Sequence, residues 1–240
     1  MRNPLQATGW VVEQIGTRLQ YRGTCFGYRH TGVLLTAAHC VARADPRNLT
    51  IGIYQQPIDP ALPVQSDGGP RQPGLPVIHV EPHPSADLAV IRIGDHVGYF
   101  DRFVDLEKTW DLGDPVSSFG YPVDAIEPTP RFFRGHVQRQ FYHDRAPYQY
   151  HAAELSFGAP AGLSGGPVAM ARTSDRVVGL ITENHRSSTF VETIEGVSVD
   201  EPTREVHAVL HYATCVLLGP LEDWLARNAV PADGRLPRDA

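Results

Sequence analysis

Three short segments of this chain carry the residue types needed to make and break an acyl bond. They are Leu-Leu-Thr-Ala-Ala-His-Cys at residues 34–40, Asp-Leu-Ala-Val-Ile at 87–91, and Gly-Leu-Ser-Gly-Gly-Pro-Val at 162–168. A serine hydroxyl is a weak nucleophile at neutral pH. It needs a base within hydrogen-bond reach, and the base needs an orienting carboxylate. Ser164, His39 and Asp87 supply those roles, in the chain order His, Asp, Ser. The tetrahedral intermediate of such a reaction carries an oxyanion, which needs preorganised backbone N–H donors. Gly162 can take a backbone conformation closed to other residues, so its N–H can turn toward that site.

Residues 162–166 also satisfy the Gly-x-Ser-x-Gly pattern of α/β-hydrolases. That pattern requires a helix directly after the serine, and the acid and histidine downstream of it. Gly165-Gly166-Pro167 would cripple a helix there, and His39 and Asp87 lie upstream. The hydrolase reading is rejected.

The elements that must position these residues are short strands. Residues 8–15, 18–28, 32–36, 49–54, 75–80, 88–93, 115–121, 132–141, 177–182 and 206–217 are rich in Val, Ile, Leu, Tyr and Thr and are separated by Gly and Pro. None keeps a helical period. The run 88–93 reads as a buried strand with Asp87 at its mouth. One helix is predicted, over residues 220–229, with acids in its first turn, Arg227 near its end and Pro231 beyond. Residues 55–76 form the longest irregular stretch and hold six prolines.

On these motifs the sequence resembles the trypsin/chymotrypsin-type serine proteases. Thr-Ala-Ala-His-Cys, Asp-Leu-Ala-Val-Ile and Ser-Gly-Gly-Pro match the histidine, aspartate and serine motifs of that family, in its order. Residues 114–122 look like the strand opening the second barrel of bacterial members, and 177–182 like the strand after the nucleophile. The resemblance implies an all-β fold of two six-stranded antiparallel β-barrels with a C-terminal α-helix. The N-terminal barrel, residues 1–108, would carry His39 and Asp87. The C-terminal barrel, 109–240, would carry Ser164. It further implies an oxyanion hole from the N–H groups of Gly162 and Ser164. Thr182 stands where the family has a serine that hydrogen-bonds the catalytic aspartate, and a threonine hydroxyl can do the same. Thr182, Glu183 and Asn184 would be the edge that pairs with substrate backbone. Glu183 would either attract a basic substrate residue or be solvated, and the latter is favoured.

Two departures bear on regulation and selectivity. Where animal digestive members carry an Asp that pairs with a newly freed N-terminus, this chain has Leu163, so no activation by N-terminal cleavage is expected. Closer kinship to bacterial trypsin-like peptidases follows. Gly158, six residues before the serine, stands where trypsin has an Asp for basic side chains, so a small or apolar P1 residue is expected. Cys25 and Cys40 resemble a family pair that often bridges beside the histidine; free thiols are expected here, with Cys215 left over.

Composition limits the partners. The chain has 240 residues, 21 Lys+Arg against 27 Asp+Glu, and a net charge of −6, which disfavours nucleic acid and polybasic membrane binding. No apolar run is long enough to span a bilayer, and the first ten residues lack a signal-peptide core, so a cytoplasmic location is expected. No cofactor or metal is required. The histidine pairs His79/His83 and His207/His211 are expected to be surface or packing residues, and Asp59 and Asp67 make only a weak calcium loop. The expected function is a serine endopeptidase acting on protein or peptide substrate, its activity rising near pH ~7 as His39 loses its proton. The second reading is a latent protease-fold module that acts as a protein-binding sensor, switched on by an activating protein partner, either alone or as part of a larger regulatory or defence protein.

Overall fold

The computed structural model describes residues 7–53, 74–94, 105–123, 130–173, 175–194 and 204–231. The expected stretch at 55–76 lies mostly outside these, as do Asp59 and Asp67. A first barrel closes through β1 (Thr8–Ile15), β2 (Arg18–Gly27), β3 (Val33–Thr36), β6 (Ala89–Ile93), β5 (Leu75–Pro82) and β4 (Leu49–Ile53), in that spatial order and antiparallel throughout. A short helix, α1 (Ala38–Val41), follows β3.

The second sheet is built from β8 (Pro115–Gly120), β9 (Arg131–Arg145), β10 (Tyr148–Leu155), β13 (Arg204–Leu217), β12 (Arg176–Ile194) and β11 (Pro167–Met170). β11 pairs with both β8 and β12, so these six antiparallel strands return on themselves. A two-residue strand, β7 (Asp105–Leu106), adds in parallel at the start of β12. The expected all-β, two-barrel architecture is what the chain forms.

The unbroken apolar runs at β3 and β6 have a plain cause: both faces of these strands are buried. Leu34, Ala89 and Ile91 point into the first barrel with Val11, Cys25 and Ile51. Leu35, Leu88 and Val90 face the opposite way, into a layer shared with Tyr150, Ala152, Leu180 and Val216 of the second barrel. A strand buried on both faces reads as continuous hydrophobics, not as an alternation. The second barrel has its own interior, which includes Leu163, Val168, Ile181 and Cys215.

Several elements differ from expectation. β12 and β13 pair from Gly179↔Leu217 out to Ile194↔Arg204, far beyond residue 182. The backbone ladder needs no apolar pattern, so the polar run after Ile181 concealed it. β9 continues past Phe141 to Arg145, and β10 and the four-residue β11 were not expected at all. The final helix, α2 (Glu222–Asn228), is shorter than 220–229 because Gly219–Leu221 winds as a 3-10 turn.

α2 comes after the second barrel but is tied to the first. The Arg92 guanidinium of β6 donates to the carbonyls of Asn228 (2.8 Å) and Val230 (3.0 Å), capping the helix end. Leu225 and Ala229 enter the layer between the barrels. Glu222 pairs with Lys108 at 2.7 Å. Among the described residues no helix is long and apolar enough to cross a membrane. Replacing Arg92 with Met should leave both carbonyls without this donor and cost roughly 1–3 kcal/mol. Thermal melting of the variant should show a clear fall, and an unchanged melting temperature would mean the helix does not depend on this tie.

Candidate active site

Strand register brings two of the three chemical residues together. Thr36 pairs with Ala89, so the chain leaving β3 and the chain arriving at β6 run side by side. His39 lies just beyond one and Asp87 just before the other. Asp87 Oδ1 accepts the backbone N–H of His39 at 2.9 Å, and Oδ2 meets His39 Nδ1 at 2.7 Å. One carboxylate thus fixes both the main chain and the ring of His39. The aspartate side chain is 3% exposed and the histidine 39%, so the pair has a dry end and a wet end. With Nδ1 bonded to Asp87, Nε2 is left as the basic nitrogen. Burial is the largest single influence and disfavours the charged ring, but the hydrogen bond to Asp87, together with the Cys40 contact and the nearby Asp87 charge, outweighs it and holds the His39 pKa well above the ordinary histidine value.

Ser164 sits in a tight double turn. Leu163 N–H donates to Pro160 O, and Gly166 N–H to Leu163 O. Gly162 has φ +91°, and a Cβ there would come within 2.7 Å of the Tyr121 carbonyl. Only glycine tolerates both conditions. Among the described residues the N–H groups of Gly162 and Ser164 make no hydrogen bond, whereas those of Leu163, Gly165 and Gly166 all do. Two neighbouring amides are therefore available to an incoming oxygen.

The serine loop is held against the first barrel. Thr24 N–H donates to Ser164 O at 2.8 Å, and Thr24 Oγ1 donates to Gly162 O at 2.8 Å. Cys40 Sγ lies 3.6 Å from the same Ser164 carbonyl, which sets the serine beside the neighbour of His39. The Ser164 hydroxyl itself donates to the Thr182 carbonyl at 3.3 Å, and among the described residues no hydrogen bond joins it to His39.

Thr182 has a different job from the one expected. Its hydroxyl donates to Thr214 O at 3.2 Å and shares a hydrogen bond with Tyr150 OH at 3.1 Å. It does not reach Asp87, whose described partners are both on His39. Thr182 stands at a bulge between Ile181 and Glu183, and its side chain is buried beside Tyr150. Glu183 is not merely solvated: His185 Nε2 lies 3.1 Å and His143 Nε2 3.7 Å from its carboxylate. The buried His143 ring stacks on Tyr150. Asn184 Oδ1 accepts Ala159 N–H at 3.0 Å, bracing the loop around Gly158, and its amide approaches His211 at 3.4 Å. His211 also walls Gly158, where a Cβ would come within 2.8 Å of the histidine Cβ. No sequence motif marked His143 or His185, and His211 was noted only as one of a spaced pair with His207; the β12–β13 and β9–β10 pairings bring them here.

Past Ile181 the described strands pair with β12 only through β13, so its edge at residues 182–185 is open on the serine side. A cavity of about 620 Å³ nearby is lined by Tyr142, His143, His185 and Tyr212, among others, and by none of His39, Asp87 or Ser164. All three cysteines are free and buried. Cys25 packs in the interior of the first barrel and Cys40 in the layer between barrels, and the two are not bridged. Burial pushes the thiols of Cys25 and Cys215 up, keeping them protonated. Among the described residues no group of His, Cys, Asp and Glu is arranged to hold a metal.

Residues 23–180 match the trypsin-like peptidase domain family. The chain belongs to the trypsin-like peptidases. No curated protein sequence matches it. Solved structures of the same fold include the Rv3671c protease of M. tuberculosis in its active form, with TM-score 0.62 at 15% identity over 94% of this chain and 84% of that one. The MamO protease domain of Magnetospirillum magneticum gives 0.60 at 15% identity over 92% and 96%. The HtrA-type protease AlgW bound to a decapeptide gives 0.60 at 13% identity over 92% of this chain but 64% of that one. This trypsin-like peptidase therefore has the serine-type endopeptidase scaffold its motifs suggested.

A raised His39 pKa has a direct kinetic sign. The protonated ring persists to higher pH, so if His39 is the general base its basic form appears later than near pH ~7. A pH–activity profile should place the rising limb on the alkaline side of the ordinary histidine value. In Asp87→Asn the limb should move to lower pH, with kcat reduced by about 10⁴.

Proposed function

We propose that this peptidase cleaves peptide bonds of protein or peptide substrates through an acyl-enzyme, with Ser164 as nucleophile, His39 as general base and acid, and Asp87 as orienting carboxylate. The observation that carries this reading is the double attachment of Asp87 to His39, through ring and backbone at once. It fixes the tautomer and aims Nε2 outward, and it stabilises the imidazolium that forms when Ser164 gives up its proton. The free amides of Gly162 and Ser164 are suited to receive the oxyanion. The open edge of β12 would pair with the substrate backbone by strand addition. His39 then protonates the leaving amine, and water resolves the acyl-enzyme by the same route in reverse. In this reading residues 1–108 contribute the base and its acid, and 109–240 contribute the nucleophile. No step needs a cofactor.

The Ser164 hydroxyl bond to the Thr182 carbonyl supports a second reading, in which the resting site is latent. For attack the hydroxyl must turn from Thr182 to His39 Nε2. A substrate amide bonding to the Thr182 carbonyl would release it, and so would a protein partner that reshapes the loop. The three unbridged thiols support work in a reducing compartment such as the cytoplasm.

Fluorophosphonate should label the wild-type chain and not Ser164→Ala, and casein hydrolysis should fall at least about 10⁴-fold in that variant. Turnover of casein by the purified chain supports constitutive activity, whereas turnover only with added cell extract supports the latent reading. Labelling that persists in Ser164→Ala would overturn both.

Gly158, walled by Asn184 and His211, presents no carboxylate at the base of the P1 site. A peptide-library profile should accordingly favour small or apolar P1 residues, and one dominated by Arg or Lys would contradict this assignment.

A further inference from the structure

The turn that presents Asp87 is built around one imidazole. His83 follows β5, and its Nδ1 accepts the N–H of Ser85 at 3.1 Å and of Ala86 at 2.8 Å. Its own backbone N–H donates to Leu88 O at 2.8 Å, closing the turn across Asp87. Two donors converge on a single ring nitrogen, so that nitrogen carries no proton and the fitting form is the neutral Nε2–H tautomer. Burial acts in the same sense, holding the His83 pKa below the ordinary histidine value.

The ring is backed from outside. Trp224 of α2 meets it edge-on, with centroids 4.8 Å apart at 65°, and α2 is in turn capped by Arg92. From the other barrel, Gln149 N–H donates to Ser85 O at 2.6 Å. Asp87, by contrast, has no holder of its own. Among the described residues its carboxylate accepts only from His39, and Thr182 is bonded elsewhere. The direction of the carboxylate is therefore set by the turn that carries it.

We infer that His83 is a positioning residue for the His39–Asp87 pair: its bare ring nitrogen folds the 83–88 turn and so sets the Asp87 carboxylate on His39, with α2 bracing the ring through Trp224. The inference rests on the proposed triad, since the turn matters to catalysis only if Asp87 does.

Two substitutions separate the acceptor from the ring. His83→Asn places an amide oxygen where Nδ1 stood and can accept the same two N–H groups, as asparagine does in turns. His83→Phe keeps a ring against Trp224 but accepts nothing. Each full-length variant is compared with wild type and Asp87→Asn by NMR titration of His39 and by the rate of fluorophosphonate labelling. His83→Asn should keep the His39 pKa and a labelling rate within about threefold of wild type, whereas His83→Phe should lower the pKa toward that of Asp87→Asn and slow labelling about tenfold or more. A merely structural role would reduce the folded fraction without moving the His39 titration of the folded molecules. The inference is overturned by a folded His83→Phe with wild-type pKa and rate, or by a His83→Asn as impaired as His83→Phe. If His83→Phe does not fold, retention of both measures in His83→Asn supports the role and their loss defeats it. If Asp87→Asn and Ser164→Ala themselves change nothing, the triad reading has failed; if they act and His83→Phe does not, only the role of His83 has.

Discussion

The site depends on a single buried threonine. Thr24 belongs to the first barrel, yet its N–H and hydroxyl hold the carbonyls of Ser164 and Gly162 in the second, and its hydroxyl accepts the N–H of Tyr121. Its own carbonyl takes the hydroxyl of Thr36, at the end of the strand that leads to His39. The bonds from Thr36 and Tyr121 are buried, where an unmet polar group costs about 1–3 kcal/mol. Gly120 and Gly165 make this approach feasible, since a Cβ on either would collide with Thr24. Ser164 and His39 come from different barrels, and this threonine is hydrogen-bonded to the first and to the strand that leads to the second.

Around that contact the division of labour is clear. Apolar burial on both faces of β3 and β6 fixes where His39 and Asp87 emerge, because register there is not free to slip without turning every buried side chain to the wrong face. Hydrogen bonds then adjust the fine geometry: Asp87 on His39, His83 on the Asp87 turn, Asn184 on the loop around Gly158. The first set of forces is large and unspecific; the second is small and directional. An active site of this kind needs both, since packing alone leaves angles loose and polar bonds alone would not survive exposure to water.

Much of this was legible in the amino-acid order. The three motifs announce themselves because their chemistry restricts residue choice locally: glycine where φ is positive, proline where the strand resumes, histidine and aspartate beside apolar runs. An all-β fold followed from short strands broken by Gly and Pro, and its two-barrel form was implied by the family resemblance that the motifs carry. What stayed hidden is held in pairing between distant segments. The partner of Thr182 could not be read because Tyr150 and Thr214 lie on strands with no chemical signature. The imidazoles beside Glu183 come from β9 and from β12 itself, far beyond the apolar stretch that marked that strand. His83 stood out in the sequence only through its spacing from His79, which pointed to a surface or packing residue; only the fold shows two amides converging on its ring.

Leu163 has a consequence for how the site responds to its surroundings. It stands next to the nucleophile and is fully buried in the second barrel, so apolar contact rather than an ion pair seats the loop. An exposed charge pair weakens as salt screens it. Apolar contact does not: salts such as sulfate strengthen it, and cooling weakens it. To the extent that Leu163 seats it, the order of this serine loop is thus tied to temperature and solvent structure more than to ionic strength.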